Sequence, residues 1–217
     1  MATATFLQLK TWFAYAIGES SATSVDSVGE GLINDAHKEM SSRVTFQCNK
    51  KDASLSIVAN VASVPSDFDY AHIGEIKLYS YSDTTKTPYH PVPFDDVSQY
   101  STGSYVYAVD FENGQIKTNQ TTATLTLVYF AIPAVMDEDA DTTNFPVPKA
   151  ITFQAAGDYW EDVEEESDRA LPKYQRAEAL FNQAVSRNKI GLAPRPLKSK
   201  YDDDEFLTTE SILATQR

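Results

Sequence analysis

The segment 122–185 constrains the fold more than any other part of this chain. A β-prone run, Thr124-Leu125-Thr126-Leu127-Val128-Tyr129-Phe130-Ala131, enters Ile132-Pro133. An acidic loop from Met136 to Thr142 and the brake Phe145-Pro146-Val147-Pro148 follow, and two long helical patterns come next. Proline cannot donate to a sheet ladder and interrupts helices, so a sheet edge must here pass to a helical pair across irregular chain. No catalytic signature occurs in the segment. The layout suits a chain that contacts other proteins.

The residues before it alternate between helix and strand signals. Thr5 predicts the cap of a first helix carrying Phe6, Leu9, Phe13 and Ala16 or Ile17 at steps of three and four, with Gly18 as its stop. Asp26 predicts a second cap, followed by Val28, Leu32, Ala36, Met40 and Val44 at every fourth residue, flanked by Ile33 and His37. Gly29 and Gly31 weaken its first turns, and the two helices are expected to pack together. From Leu55 the period becomes two, through Ile57, Ala59 and Val61, and a turn at 64–68 precedes an alternating run at 75–81. Pro88, Pro91 and Pro93 exclude 83–93 from the centre of a sheet. A short helical turn at 94–100, capped by Asp95, leads to a strand at 105–111 and the hairpin signal Asn113-Gly114. The return at 115–118 and the run 122–131 complete about five antiparallel strands, a small half-buried sheet or a sandwich.

In the two later helices, Val147, Ile151, Ala155, Tyr159 and Val163 line one face, widened by Ala156 and Trp160. Ser167 or Asp168 caps the last helix, where Leu171, Tyr174, Glu178, Phe181, Val185 and Asn188 follow three-four spacing beside Ala170, Ala177 and Ala184. Those small residues permit close helix approach, and Pro172 requires the helix to begin or kink there. Beyond Gly191 come Pro194 and Pro196, basic Arg195, Lys198 and Lys200, a carboxylate run at 202–205, and the apolar pairs Phe206-Leu207 and Ile212-Leu213. This tail has two readings: a solvated, cleavable terminus, or an arm whose anchors order on a partner.

The expected fold class is α+β. N-terminal helices (1–50) and C-terminal helices (147–190) form a helical layer, 51–146 is β-rich with a small antiparallel sheet or sandwich, and 191–217 is an extended docking tail. One domain with appendages or two small domains would fit 217 residues.

Charge narrows the function. Thirty-one acidic against 18 basic residues give a formal charge of −13, which disfavours wrapping nucleic acid through its phosphates. The single cysteine, Cys48, forbids an intramolecular disulfide and fits folding in a reducing cytoplasm. The N-terminus lacks a basic leader and no run approaches the roughly 18 apolar residues of a membrane helix, so a soluble protein is expected.

Candidate chemistry is thin. Asp137, Asp139 and Asp141 alternate like calcium-loop ligands, but Thr142 stands where that loop wants glycine and Pro148 where it wants a bidentate glutamate. A solvated charged loop is the preferred reading. His37, His72 and His90 are scattered, with His37 at a helix-stripe edge, and Cys48 has no activating base in sight. Nucleophile-elbow, phosphate-loop and dinucleotide motifs are missing, and 31 carboxylates do not single out a glycosidase pair. Trp12 and Trp160 would suit a sugar-binding groove, although aromatics on helix stripes more often sit in the core. No catalytic, cofactor-binding or metal-binding residue is assigned, and the chain is expected not to be an enzyme.

The segments also occur in a telling order: Ala16-Ile17-Gly18-Glu19, Ser24-Val25-Asp26, Ile33-Asn34-Asp35-Ala36, Arg43-Val44-Thr45-Phe46-Gln47-Cys48-Asn49, Val64-Pro65-Ser66-Asp67-Phe68, the strand from Leu125 to Pro133, and the loop from Asp139 to Pro148 before Ala150. Over 14–185 this resembles the head–tail connector proteins of tailed bacteriophages, of the adaptor or tail tubular protein A kind. Thr45-Phe46-Gln47-Cys48-Asn49 lacks the tryptophan of the family-like Gly-Trp-x-Phe-Asn segment, and nothing from Gly191 onward aligns. The resemblance implies a virion protein of the phage neck, assembled in the host cytoplasm and free of membrane. It implies a ring of twelve copies joining the portal to the tail, with its helical layer on the portal, its β-layer on the downstream tail or nozzle protein, and a channel whose wall repels the passing genome. Interface residues are then expected at Tyr174, Phe181, Arg195, Leu197, Phe206, Leu207, Ile212 and Leu213. The competing readings are a carbohydrate-binding or cell-wall-hydrolysing virion module, and a capsid decoration or tail-completion protein.

Overall fold

Thr5 starts the first helix as its sequence predicts. In the computed structural model, which describes residues 3–82 and 85–191, a short strand β1 (Ala4–Thr5) leads into α1 (Phe6–Ile17). The Thr5 hydroxyl accepts from the Gln8 N–H, while the Gln8 side chain accepts from the Thr5 N–H, closing a capping box. The next free donors, Phe6 N–H and Leu7 N–H, go to the carbonyls of Asp141 and Asp139, so the distant acidic loop completes the cap. Gly18, at φ 98°, ends the helix.

Asp26 caps α2 (Ser27–Ser42) by accepting from the Val28 and Gly29 N–H groups. Its buried face is Gly29, Ile33, Ala36, His37 and Met40, which corrects the line through Val28, since Val28 is exposed. A strict step of four advances about 40° around a helix each time, so such a line cannot stay on one face for sixteen residues. Gly29 has a packing role: a Cβ there would stand 2.9 Å from Phe13 Cε1 and 2.8 Å from Val25 Cγ1. Its bare backbone lets α1 and α2 meet.

The strand after α2 begins at Lys50, not Leu55, and ends earlier than expected: β2 is Lys50–Val58. Ala59 and Asn60 both have positive φ (51° and 72°) and turn the chain into β3 (Val61–Ser63), with Val58 facing Val61. The remaining strands are β4 (Lys77–Ser82), β5 (Thr85–Pro88), β6 (His90–Pro91), β7 (Val106–Asp110), β8 (Gln115–Thr118) and β9 (Thr122–Phe130). Gly114, at φ 61°, sits in the β7–β8 turn as the Asn-Gly signal predicts. The helical turn Phe94–Gln99 also forms, but Pro93 holds its cap position and Asp95 lies in its first turn.

These strands make one sheet in the order β5-β4-β9-β2-β3-β8-β7-β6, antiparallel except for the β6–β7 pair. Its two outermost strands are separated in the chain only by Tyr89. The Tyr89 N–H donates to Leu78 O on β4, and the His90 N–H donates to Tyr105 O beside β7. The sheet therefore closes on itself along 85–91. This replaces the expected sheet or sandwich of about five strands, because the proline-bearing segment bridges the two edges, pairing with β4 through 85–88 and with β7 through 90–91. Inside lie Leu55, Ile57, Phe68, Leu78, Ile116, Leu125 and Leu127.

A second core belongs to the helices. After β9, the strand β10 (Thr142–Thr143) pairs with β1, and α3 (Lys149–Asp158) packs against α1, α2 and the last helix, α4 (Ser167–Gly191). Phe6, Leu9, Phe13, Ile33, Met40, Phe46 and Ile151 fill the space between them. The predicted α3 line is buried through Ala155, then a π-helical turn (Tyr159–Val163) alters the helical phase and leaves Val163 exposed. On α4 the buried stripe is Ala170, Ala177, Phe181 and Ala184, while Leu171 is 58% exposed. Pro172 lies inside α4, so the helix does not begin there.

Candidate interaction surface

Tyr174 joins α4 to the end of α3. Its hydroxyl lies 3.0 Å from Asp158 Oδ1 and 2.7 Å from Glu161 Oε2. Burial pushes the Asp158 carboxyl up to about 6, with Glu39 and Asp162 adding to the rise and the Tyr174 bond opposing it. The Tyr174 phenol is raised well above the ordinary tyrosine value, by burial first and then by its two carboxylate bonds. Phenol and carboxylates close on one another, with the Gln154 amide also donating to Asp158. The arrangement pins two helices together.

Phe181 is only 4% exposed. Its ring meets Phe46 edge-on at 6.0 Å, and the Arg43 guanidinium lies 4.2 Å from its centroid while also pairing with Glu178 at 2.8 Å. About two turns further, Asn188 donates to Thr45 O and accepts from the Gln47 N–H, and Arg187 donates to Pro146 O. The C-terminal turns of α4 are thereby stitched to the place where the helical core meets the closed sheet. Tyr174 and Phe181 thus make their contacts within the chain, and Arg195, Leu197, Phe206, Leu207, Ile212 and Leu213 lie outside the described residues.

Of the remaining polar candidates, His37, His72, Asp139 and Asp141 have structural partners. His37 is buried, and its Nε2 stands 2.9 Å from Thr143 Oγ1. Because that hydroxyl already accepts from the Phe145 N–H, its proton points to a neutral imidazole, and burial pushes His37 down to about 4. In the acidic loop, Asp139 pairs with Lys10 at 2.6 Å, and Asp141 accepts from the Asp137 and Glu138 N–H groups. Lys10 also reaches Glu30, so the loop is tied to both N-terminal helices. His72 pairs locally with Asp69 at 2.8 Å, and burial raises the Cys48 thiol. Among the described residues, no group of three or more His, Cys, Asp or Glu is placed to hold a metal ion, and no helix is long and apolar enough to cross a membrane.

Among the described residues, two exposed surfaces lie at opposite ends of the architecture. At the end of the closed sheet away from the helices, Val58 beside the 59–60 turn, Tyr100 and Tyr105 are exposed. The loops there are held to one another, with Asn60 O accepting from the Thr118 N–H and Asn119 bonding Ser101 O. On the helical side, Trp12 and Tyr15 of α1 face Lys149 and Phe153 of α3 and Lys173 of α4 across a groove. Sequence periodicity favoured a core position for Trp12 and Trp160, and both are half-buried at the surface. Only the placement of lysines beside them distinguishes a groove from a core stripe.

Residues 4–199 match the family model described as SU10 adaptor protein. No curated protein matches the chain.

Proposed function

Because the chain belongs to the SU10 adaptor protein family, a phage head–tail adaptor family, we propose that it forms a ring of twelve copies joining the portal to the tail. An adaptor has a structural role in the virion and contacts other phage structural proteins, and the family is not one of enzymes.

The observation that carries the finer reading is the separation of the subunit into two differently built ends, each with its own core. Unlike surfaces on one subunit make heterologous contacts, which close into a ring when rotation permits. The helical layer, from 1–50 and 147–190, faces the portal. The β-rich part, 51–146, presents Val58, Tyr100 and Tyr105 to the downstream tail or nozzle protein. The arm 191–217 docks on the portal through Arg195, Leu197, Phe206, Leu207, Ile212 and Leu213, leaving α4 from a point anchored by Arg187 and Asn188. A charge of −13 per copy, multiplied around the ring, holds DNA phosphates off the channel wall.

Sedimentation of the full-length protein with its phage's portal tests this reading. A joint, stoichiometric peak is expected. Independent sedimentation at micromolar concentrations of both would remove the portal-joining role.

A further inference from the structure

The groove on the helical side has a chemistry at odds with the rest of this acidic chain. Its first part, a hollow of about 310 Å³, is bounded by Trp12, Tyr15, Lys149, Phe153 and Lys173, with no carboxylate in its lining. Tyr15 is 63% exposed there. Past Ala16 and Lys173 it continues into a hollow of about 450 Å³ that reaches Trp160, Arg169 and Asp168. Lys149 Nζ stands 5.1 Å from the Trp12 ring, and the Arg169 guanidinium 4.6 Å from Trp160. Arg169 pairs with Glu166, but among the described residues no carboxylate lies within ion-pair distance of Lys149 or Lys173. Two lysines that share a groove with aromatic rings and pair with no acid, in a chain with 31 acids, describe a site for an acidic segment that also carries an apolar anchor.

The chain contains such a segment. Its longest unbroken carboxylate run is Asp202, Asp203, Asp204 and Glu205, bracketed by Tyr201 and Phe206. Geometry allows the same chain to supply it. From Lys173 to Gly191 the helix rises about 27 Å, and the residues from Gly191 to Asp202 span up to about 36 Å when extended. We infer that residues 201–206 dock into this groove of their own subunit, with the carboxylates on Lys149 and Lys173 and Phe206 against the Trp12–Phe153 wall. Tethering favours this occupant over a free partner, because the segment's effective concentration is fixed by the linker. The inference goes beyond the ring: it concerns the free subunit, whose arm is folded back along α4 until a stronger partner draws it out.

Both tryptophans of the chain line the groove, so the two indole N–H signals of the full-length protein report on it directly. Substituting Asp202→Asn, Asp203→Asn, Asp204→Asn and Glu205→Gln together is expected to displace both signals equally at every protein concentration. Salt at about 1 M, where the Debye length falls to about 3 Å, should move the wild-type signals the same way. Lys149→Glu with Lys173→Glu should reproduce the displacement, and adding the tail substitutions to it should change nothing more. Indole signals indifferent to neutralising 202–205 would overturn the proposal. A displacement that grows on dilution would overturn it as well, because the occupant would then be the arm of a second copy. Should the lysine variant fail to fold, the tail variant and the salt series decide the case.

Discussion

The ring of Tyr174 occupies the space that a side chain at Gly157 would need: a Cβ there would lie 2.6 Å from Tyr174 Cδ1. Tyr174 cannot simply withdraw, because Asp158 and Glu161 hold its hydroxyl. Gly157→Ala is therefore expected to destabilise the protein by about 1–2 kcal/mol, overpacking outweighing the roughly 1 kcal/mol that alanine gains in a helix. Gly31→Ala, where nothing stands within 4 Å of the new Cβ, should instead stabilise by about 1 kcal/mol. Urea denaturation of the two variants checks the pair of signs.

Acid sensitivity should reflect two groups of opposite sign. His37 is held neutral, down to about 4, so its stabilising contribution is complete above pH 6.5 and is lost as pH falls toward 4. The loss amounts to about 3 kcal/mol. Asp158, pushed up to about 6, contributes stability that is complete below its unfolded value near 3.8 and lost as pH rises through 6. Between pH 4 and 6 the two oppose one another. Asp158→Asn removes the second, so the variant should lose stability more steeply than wild type on acidification from pH 6 to 4. Parallel profiles of urea midpoint against pH would contradict the assignment.

The β2–β3 turn stores removable strain. Ala59 adopts φ 51°, a left-handed conformation that costs an L-residue about 1 kcal/mol, and its bonds to the rest of the sheet run through the Asn60 backbone. Replacing Ala59 by Asn and Asn60 by Gly matches the preferred residues of this turn and should raise stability by about 1 kcal/mol. A lower thermal midpoint for the double variant would contradict this.

Helix starts were legible in the sequence because a cap is a local event: Thr5 with Gln8, and Asp26 with Val28 and Gly29, need no distant partner. The 59–60 turn was not, since neither residue is glycine and the alternation from Leu55 to Val61 runs straight across it. Sheet closure was half legible. Three prolines placed 83–93 away from the sheet centre, but only the tertiary fold makes its opposite edges parts of one segment. In α4, large residues suggested a stripe through Leu171, whereas close contact with α3 selects the alanines. Tyr174 was visible on that stripe, but one of its carboxylate partners, Glu161, sits in a π-helical turn that no hydrophobic period announces. The groove lysines lie on separate elements and had no sequence signature.

Ending the chain at Gly191 leaves every described element and both cores in place. The shortened protein should keep its circular dichroism spectrum and bind the portal at least tenfold more weakly, a loss of about 1.4 kcal/mol or more. Undiminished binding, measured by titration calorimetry, would remove the docking arm and leave the helices as the portal contact.

The central claim is the ring itself. Electron-microscopic class averages of the protein bound to its portal measure its rotational symmetry without labels or substitutions. Twelvefold averages, with the helical layer toward the portal and the closed sheets facing away, are the predicted result. Threefold or sixfold symmetry, or rings with the sheets against the portal, would contradict it.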